Sequence, residues 1–526
     1  MLKLWILFCL ISSVSTLNVL MYALLVGKSH FQYSNSLIKV LTENGHTVDI
    51  IYGQLNSLVN TKGDHGTRNA VTVSFDGVSP WVSASDHLLN PFEEPPSWNP
   101  FAEPFPVFDK TTDQLCDLVL DSSDVHDLLT ANKYDIALVS GYEFCPYIVM
   151  HQYKIFPVVS YSPTPAAALQ NYYAGLPELP IYENNVLDTR IGGDRSTFGS
   201  RIIENLRVLK EHYGHIEIYT RMNNKARSRY GSNFPDVRDL VKNVSLDFSN
   251  SNPILEEPKP ISYRARYIGG VGMPKPKPIS KELDRILNLS KKGSVIFSFG
   301  TQIPADKISE EHMRVFTESF KRFPDYNFLW KHDGKRVMNA TNIFNIEWLP
   351  QTDLLYDHRV VGFISHMGLN SFTETAFAGV PVVSIPLFAD QVHNARRAMT
   401  IGIGTMIRKT EITIENLSDA LQKILHDPSY RQRALEISSM LQTNPDNAVR
   451  VFVEGIEFAA KHKTLPDRFR LMGADRSFFV QLGWDVAAFF TTSIIFFLYS
   501  GFRIANLLIK FIRRNNPIRI MKTKSE

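Results

Sequence analysis

The chain contains 526 residues, of which 44% are hydrophobic and 21% are charged, and these are the proportions of a folded globular protein. Its 56 lysine and arginine residues against 53 aspartate and glutamate residues leave a formal charge of only +3, which excludes the strongly basic surface that nucleic-acid binding requires. Because one hydrophobic core seldom organises a chain of this length, we expect two domains with additional segments at the ends.

The first residues have the pattern of a secretory signal peptide. Lys3 precedes an apolar run over residues 4–11, and small residues at 12–15 follow at the position of a cleavage site. We therefore predict a signal peptide over residues 1–16 and a mature chain that enters the secretory pathway.

The next segment has the pattern of a strand, a helix and a second strand. An apolar strand over residues 18–26 precedes a helix over residues 34–42, and this order predicts a first Rossmann-like domain, which we place at residues 17–272. The loop after the strand contains His30, so this side chain lies at the edge where open α/β sheets bind ligands. A general base is one interpretation of His30, and a structural histidine is the other.

A second Rossmann-like domain is predicted over residues 291–460. It follows a linker over residues 273–290 that begins with alternating prolines and lysines, a composition that is typical of a stiff spacer. Its first strand covers residues 294–299 and ends in Gly300-Thr301. The amides of this turn either approach a phosphate or belong to a tight turn without a ligand.

One strand–turn–helix unit in the second domain carries the strongest chemical pattern. An apolar strand over residues 361–364 leads into a turn that contains His366 and then into a helix, whose N-terminal amides and dipole favour a phosphate. One turn further, Glu374 is placed to accept hydrogen bonds from a ribose diol. The next strand ends close to Asp390 and Gln391, where we expect contacts with sugar hydroxyl groups.

The C-terminal segments indicate membrane anchoring. After an extension over residues 461–485, residues 486–502 form an uncharged apolar run that is just long enough to cross a bilayer; a buried core helix is the alternative. Cations follow in the tail over residues 503–526, which predicts a single-pass type I membrane protein with its domains in the lumen. Lys522 and Lys524 resemble a dilysine signal for retrieval to the endoplasmic reticulum, although short basic tails also arise by chance.

The cysteines and the glycosylation sequons fit a secretory chain. Cys9 lies in the predicted signal peptide, so Cys116 and Cys145 allow at most one disulfide, and we expect both to be buried thiols. In a lumenal chain the sequons predict N-linked glycans. Their asparagines are Asn243, Asn288, Asn339 and Asn416.

The second domain resembles the UDP-glycosyltransferase family, in particular the UDP-glucuronosyltransferases of animals. The resemblance rests on Trp348-Leu349-Pro350-Gln351, on the spacing from there to His366 and Glu374, and on Asp390-Gln391, and it extends over nearly the whole chain. It implies a GT-B fold, in which two Rossmann-like domains face a cleft. The first domain would bind the acceptor and the second the UDP-sugar.

The resemblance also assigns roles to residues of the second domain. It implies that Trp348 stacks on uracil, that Gln351 contacts the base or the ribose, and that Glu374 binds the ribose. Asp390 and Gln391 would bind the transferred sugar. The residues that would contact the diphosphate are Thr301, His366, Gly368, Asn370 and Ser371.

The catalytic pair of the family is incomplete in this sequence. The resemblance makes His30 the catalytic base, and in the family an aspartate orients this histidine and stabilises its charged form. The matching position here is Ser140, so we predict that Glu143 from the same loop supplies the carboxylate. A second departure is Met367, where the family has a small residue; its side chain either narrows the diphosphate site or points away.

The resemblance implies an inverting transfer of glucuronic acid from UDP-glucuronic acid to a hydroxyl group of a small lipophilic acceptor. UDP-glucose as the donor is one alternative. The other is a catalytically impaired protein that binds UDP-sugars or lipophilic ligands, or that acts as a partner of active relatives. Beyond the UDP-sugar we expect no cofactor and no metal ion, because the cluster of Asp121, Asp124 and Asp127 is typical of a solvated helix face. The sequence leaves homo- and hetero-oligomers open.

Overall fold

The structure, a computed structural model, describes residues 16–62, 66–85, 91–92, 106–165, 197–300, 308–332, 340–471 and 473–515. Residues up to Arg470 form one compact unit, and residues from Leu471 onward form a second. Nearly all of the predicted signal peptide, Thr301, the sequon at Asn339 and the two tail lysines lie outside the described residues.

Seven strands of the first half form one sheet. They are β1 Asn18–Leu24, β2 Thr47–Gln54, β3 Asn69–Ser74, β4 Ile136–Ser140, β5 Val158–Ser162, β6 Asp247–Ser249 and β7 Ala265–Tyr267. Their order in the sheet is β3-β2-β1-β4-β5-β6-β7, and neighbouring strands are parallel. The sequence order reverses between β1 and β4, so the loops after these strands meet where doubly wound sheets bind ligands. This sheet confirms the predicted Rossmann-like fold of the first half.

Helices cover both faces of this sheet. Those of the described first half are α1 Lys28–Glu43, α2 Pro80–Ser85, α3 Pro106–Asp121, α4 Ser123–Ala131, α5 Cys145–Gln152, α6 Phe198–Tyr230 and α7 Val237–Lys242. Alternate residues of β1 are buried in two different apolar layers, Tyr22 in one layer and Met21 in the other, as expected of a parallel strand that is covered on both sides. Helix α1 packs in the layer of Met21 through Leu37 and Leu41.

Helix α1 begins earlier than the sequence pattern predicts. The expected helix covers residues 34–42, whereas the observed helix starts at Lys28, after Gly27 in an extended conformation. His30 therefore lies in the first turn of α1 rather than in a loop. It remains at the carboxyl end of β1, because the helix follows the strand almost directly.

Six strands of the second half form another parallel sheet. They are β8 Ser294–Ser298, β9 Asn327–Lys331, β10 Ile343–Ile346, β11 Val360–Ser365, β12 Val382–Ser384 and β13 Gly404–Met406. Their order is β10-β9-β8-β11-β12-β13, with the reversal between β8 and β11. The helices of this part are α8 Lys281–Asn288, α9 Glu310–Lys321, α10 Gln351–Leu355, α11 Leu369–Ala378, α12 Gln391–Thr400, α13 Ile414–His426 and α14 Pro428–Gln442. A second Rossmann-like sheet is thus confirmed.

The chain returns to the first sheet after α14. Helix α15 Ala448–Lys461 contributes Phe452 and Ile456 to the apolar layer that also contains Met21, and the ring of Phe452 meets that of Phe248 edge to face at 5.1 Å. A short helix, α16 Leu465–Phe469, follows. The last helix of the predicted second domain therefore packs against the first sheet.

Two cysteines of the first half form a disulfide, so the expectation of free buried thiols was wrong. Cys116 lies on α3 and Cys145 begins α5, and both are buried in the same apolar layer of the sheet. Packing of the two helices on one face brings their Cα atoms to 5.5 Å. The bond links α3 to the segment that follows β4.

The second compact unit contains α17 Phe478–Gln481 and α18 Trp484–Asn515. Among the described helices, α18 alone is long and apolar enough to cross a membrane. It extends beyond the apolar run predicted over residues 486–502 and carries Arg503 and Lys510 in its second half. Its 32 residues span about 48 Å at 1.5 Å per residue, which exceeds a hydrocarbon core of about 30 Å.

Candidate active site

The turn between β11 and α11 holds the ring of His366 between two glycines. A Cβ atom on Gly300 would lie 2.7 Å from Cε1 of this ring, and one on Gly368 would lie 2.9 Å from Nε2, so only glycine fits at either position. Burial, with a smaller contribution from Lys331, lowers the pKa of His366 to about 4. The imidazole is therefore neutral at neutral pH and offers an N–H group rather than a charge.

Met367, the unusual residue of this turn, points away from the predicted diphosphate site. Its backbone has a φ of 60°, yet its side chain is fully buried in an apolar layer with Leu369 and Phe372. Its carbonyl oxygen accepts a hydrogen bond of 3.0 Å from Nδ2 of Asn394. The side chain belongs to the core, and the backbone is held by the neighbouring helix.

Gln351 and Glu374, predicted to bind the uridine, are brought together with Ser371, predicted to hold the diphosphate, at the start of α10 and along α11. Nε2 of Gln351 donates to Oγ of Ser371 at 3.2 Å and to Oε2 of Glu374 at 2.5 Å. Burial raises the pKa of Glu374, while the bond from Gln351 opposes this rise. Asn370 is exposed in the first turn of the same helix.

Two lysines that the sequence did not point to flank Trp348. The indole is 61% exposed, and the Nζ atoms of Lys331 and Lys28 lie 5.2 and 5.5 Å from its centroid. Nζ of Lys331 also donates to the carbonyl oxygen of Gly300 at 2.7 Å. Lys28 precedes His30 on α1, whereas Lys331 ends β9, so the two halves of the chain meet at this ring.

The predicted sugar-binding residues begin α12. Oδ2 of Asp390 accepts a hydrogen bond of 2.8 Å from Nδ2 of Asn394, and burial raises the pKa of Asp390. The side-chain oxygen of Gln391 accepts from the amides of Leu387 and Phe388 at 2.8 and 3.2 Å, which leaves its amide nitrogen for a further hydrogen bond. Sequence analysis missed Asn394, whose signal is its spacing of one helical turn from Asp390.

His30 faces this region from the first half. Its ring stacks on that of Tyr142 with 5.7 Å between centroids, and the Tyr142 hydroxyl donates to Oγ1 of Thr164 at 2.7 Å. Burial raises the pKa of Tyr142, and the charge of Asp390 raises it further. Tyr142 therefore stacks on His30 and lies within reach of the charge of Asp390. Tyr142 was also missed, although it lies in the loop between Ser140 and Glu143.

The structure does not bring Glu143 to His30. Glu143 is buried near Tyr22 in the layer on one face of the sheet, whereas α1 packs on the opposite face. Burial raises the pKa of Glu143 to about 8, although Tyr22 opposes this rise. Neither carboxyl oxygen, nor Nδ1 of His30, nor Oγ of Ser140 has a hydrogen-bond partner among the described residues.

Other predicted positions lie away from the cleft. Within the described part of the chain, no group of three or more histidine, cysteine, aspartate or glutamate residues is arranged to hold a metal ion, and Asp121 pairs with Arg229. Three sequon asparagines are exposed, as glycosylation requires. They are Asn243, Asn288 and Asn416.

This fold and cleft define a class of enzymes that transfer sugars from nucleotide donors, and comparison with known proteins gives the family. A family model described as "UDP-glucoronosyl and UDP-glucosyl transferase" matches residues 19–516. The chain therefore belongs to the UDP-glycosyltransferase family and is a glycosyltransferase.

Relatives of similar length support this membership. UDP-glucuronosyltransferase 1A6 of Homo sapiens is 25% identical over 489 residues, which cover 90% of this chain and 88% of that protein. UDP-glycosyltransferase UGT5 of Dactylopius coccus is 25% identical over 505 residues, covering 94% and 93%. UDP-glucuronosyltransferase 1A8 of Rattus norvegicus is 28% identical over 380 residues, covering 71% and 70%.

Solved structures of other glycosyltransferases share the fold. The glycotransferase of kitacinnamycin superposes with a TM-score of 0.57 at 16% identity, and it covers 85% of this chain and 99% of its own. The calicheamicin glycosyltransferase CalG4 gives a TM-score of 0.54 at 15% identity with the same coverage. The predicted GT-B architecture is thereby confirmed.

Proposed function

We propose that this protein transfers glucuronic acid from UDP-glucuronic acid to a hydroxyl group of a small lipophilic acceptor, with inversion at the anomeric carbon. One arrangement carries the proposal: His30 stacks on Tyr142, and Tyr142 is close enough to Asp390 to respond to its charge. This arrangement supports a base and a sugar-binding carboxylate on facing walls of one cleft. The names of the human and rat relatives favour glucuronic acid as the sugar.

In this proposal His30 takes the proton of the acceptor hydroxyl while the oxygen attacks the anomeric carbon. The bond from that carbon to the diphosphate breaks, and its electron pair leaves with UDP toward His366 and the amides of α11. Because burial lowers the pKa of His30 to about 4, its imidazole is neutral and able to accept a proton at neutral pH. Nδ1 is the buried nitrogen, which leaves Nε2 for this transfer.

Two alternatives have specific support. The relative from Dactylopius coccus is named only as a UDP-glycosyltransferase, so UDP-glucose stays a candidate donor. A catalytically impaired protein that binds UDP-sugars or lipophilic ligands is favoured by the missing carboxylate. Nδ1 of His30 has no partner in the described structure, and Ser140 replaces the aspartate of the family.

The test is an assay of UDP release by the full-length protein in detergent, with UDP-glucuronic acid or UDP-glucose and a simple phenol. We expect faster release with UDP-glucuronic acid and a β-linked product by NMR. An α-linked product would contradict inversion. Faster release with UDP-glucose would make UDP-glucose, rather than UDP-glucuronic acid, the donor. UDP binding without turnover for any acceptor would favour the impaired protein.

We also propose a type I orientation in the endoplasmic-reticulum membrane, with the residues before α18 in the lumen. The length and apolar character of α18 and the cations of the tail support it. Protease added to sealed microsomes should then remove only residues beyond about Arg503. Replacement of Lys522 and Lys524 by serine should release the protein to the cell surface, and continued retention would contradict the dilysine signal.

A further inference from the structure

Two ammonium groups from different halves of the chain approach one exposed ring. Lys28 opens α1 in the first half, and Lys331 ends β9 in the second. Their Nζ atoms lie 5.5 and 5.2 Å from the centroid of Trp348. The pair therefore joins the first turn of α1, which also contains His30, to the end of β9 beside the predicted nucleotide site.

These two positive charges lack a counter-charge. Within the described residues neither lysine forms an ion pair with a carboxylate, and the only protein acceptor of Lys331 there is the carbonyl oxygen of Gly300. Burial lowers the pKa of Lys331, and the charge of Lys28 lowers it further. Like charges in a partly buried site are stabilised by an anion that both can contact.

The position of the pair identifies the anion. Lys331 lies beside the turn of Gly300, against which the ring of His366 packs, and the charge of Lys331 reaches that ring. The predicted diphosphate site is therefore next to Lys331, while the sugar-binding residues Asp390 and Gln391 begin a different helix. A phosphate oxygen fits this position better than a sugar carboxylate.

We propose that Lys28 and Lys331 hold the diphosphate of the donor from opposite walls of the cleft. When the bond from the anomeric carbon to the diphosphate breaks, its electron pair adds negative charge to the phosphate oxygen, and both ammonium groups stabilise that charge. Because Lys28 and His30 share the first turn of α1, the same contact fixes the base relative to the anomeric carbon. This proposal rests on the proposed UDP-sugar activity.

The test compares Lys28→Met and Lys331→Met with Lys39→Met in the full-length protein. Lys39 lies on the same α1 helix, its side chain is 70% exposed and it forms an ion pair with Glu43, so it serves as the matched control. Calorimetry should show roughly tenfold weaker UDP binding for each cleft variant, a smaller effect on UMP, and no change for Lys39→Met. Lys28→Arg, which keeps the charge, should recover most of the affinity.

Each outcome separates the sources of failure. Equal UDP affinity in the wild type and Lys28→Met would overturn the proposal, as would weaker binding of UDP-glucuronic acid with unchanged UDP affinity, because the lysines would then serve the sugar carboxylate. If the wild-type protein binds no UDP, both the proposed function and the proposed role of Lys28 and Lys331 are overturned. Thermal melting of each variant checks that folding is retained. If Lys331→Met unfolds, Lys331→Gln replaces it, because glutamine removes the charge and keeps an N–H donor for the carbonyl oxygen of Gly300.

Discussion

The two walls of the cleft differ in how well their polar groups are satisfied by the protein itself. On the donor wall, most of the predicted ligands form hydrogen bonds with one another or with nearby groups, although Nδ1 of His366 is buried without a partner among the described residues. Gln351 donates to Glu374, Asn394 donates to Asp390, and Gln391 accepts from two amides. The positions of these side chains are therefore fixed before a ligand arrives.

On the acceptor wall, several buried polar groups after β1 and β4 lack a hydrogen-bond partner among the described residues, although the Tyr142 hydroxyl does donate to Thr164. Nδ1 of His30, Oγ of Ser140 and both carboxyl oxygens of Glu143 are buried without a hydrogen-bond partner in the part of the chain that the structure describes. Such a group costs about 1–3 kcal/mol when it stays unpaired. The contrast indicates that the protein itself holds Gln351, Glu374, Asp390 and Gln391 in place, whereas the predicted base lacks a group that would orient it.

The largest effect should come from the acceptor wall. His30→Ala should lower turnover by about a hundredfold or more, because general-base catalysis contributes roughly 10² to 10⁴, while UDP affinity stays unchanged. Initial rates of UDP release and calorimetry of UDP measure the two quantities. His151→Ala, a histidine of the same half at the end of α5, is the control. If His30→Ala kept its turnover, His30 would not be the general base.

On the donor wall the effect should appear in binding instead. Glu374→Ala and His366→Ala should each weaken UDP binding by about tenfold or more, since each removes a hydrogen bond that involves a charged group and is worth roughly 1.5 to 3 kcal/mol. Glu374→Ala also removes one of the two hydrogen-bond acceptors of Gln351 and leaves Ser371 as the other. Calorimetry with the full-length protein measures the change. If both variants bound UDP as tightly as the wild type, the UDP-binding site would lie elsewhere than at α11.

The donor wall was predictable because its signals are local. A strand, a turn and a helix follow one another within a short stretch. The spacing from His366 to Glu374 and from there to Asp390 therefore already places all three at the carboxyl edge of the second sheet. Lys28 and Lys331 were missed because they meet only when the two halves face each other. The same holds for the influence of the Asp390 charge on Tyr142, because these residues also lie in different halves.

Sequence proximity misled at two points of the acceptor wall. Glu143 was predicted to reach His30 because both follow strands that are neighbours, but the loop after β4 turns its side chain to the face of Tyr22. Cys145, two residues further, faces the same layer and pairs with Cys116. The alternation of side chains between the two faces of a sheet ends with the strand. The face toward which a loop side chain points therefore depends on how the neighbouring helices pack.

Placing a carboxylate at position 140 should give His30 a partner within the protein, as Glu374 and Asp390 already have on the donor wall. Ser140→Asp should raise turnover by about tenfold, because a carboxylate near the imidazole stabilises its charged form. The same interaction should raise the pKa of His30, which burial now holds at about 4. Between pH 5 and 8 His30 should therefore impose no acid limb on kcat/KM in the wild type, whereas the variant should decline below about 6.5, the ordinary histidine pKa.

Ser140→Asn is the control for this change, because it adds similar volume without charge. If the asparagine variant accelerated turnover equally, orientation alone would explain the gain. If neither variant changed the rate or its pH profile, Ser140 would lie too far from His30 to act on it.

The smallest effect on turnover is expected for Glu143→Gln, which should change the rate by less than about threefold because Glu143 does not contact His30.

The effect of Glu143→Gln should appear in the stability of the protein instead. The pKa of Glu143 is raised to about 8 in the folded protein, whereas an unfolded glutamate has a pKa of about 4.3. Stability from the protonated carboxyl group is thus fully present below about pH 4.3 and is lost as the pH rises toward 8, by about 1.4 kcal/mol per pH unit. Glutamine has no proton to release, so the melting temperature of Glu143→Gln relative to wild type should increase from pH 5 to pH 8. The exposed Glu436→Gln should show no such trend, and parallel melting curves for Glu143→Gln, or a hundredfold loss of turnover, would place an ionised Glu143 back at the base.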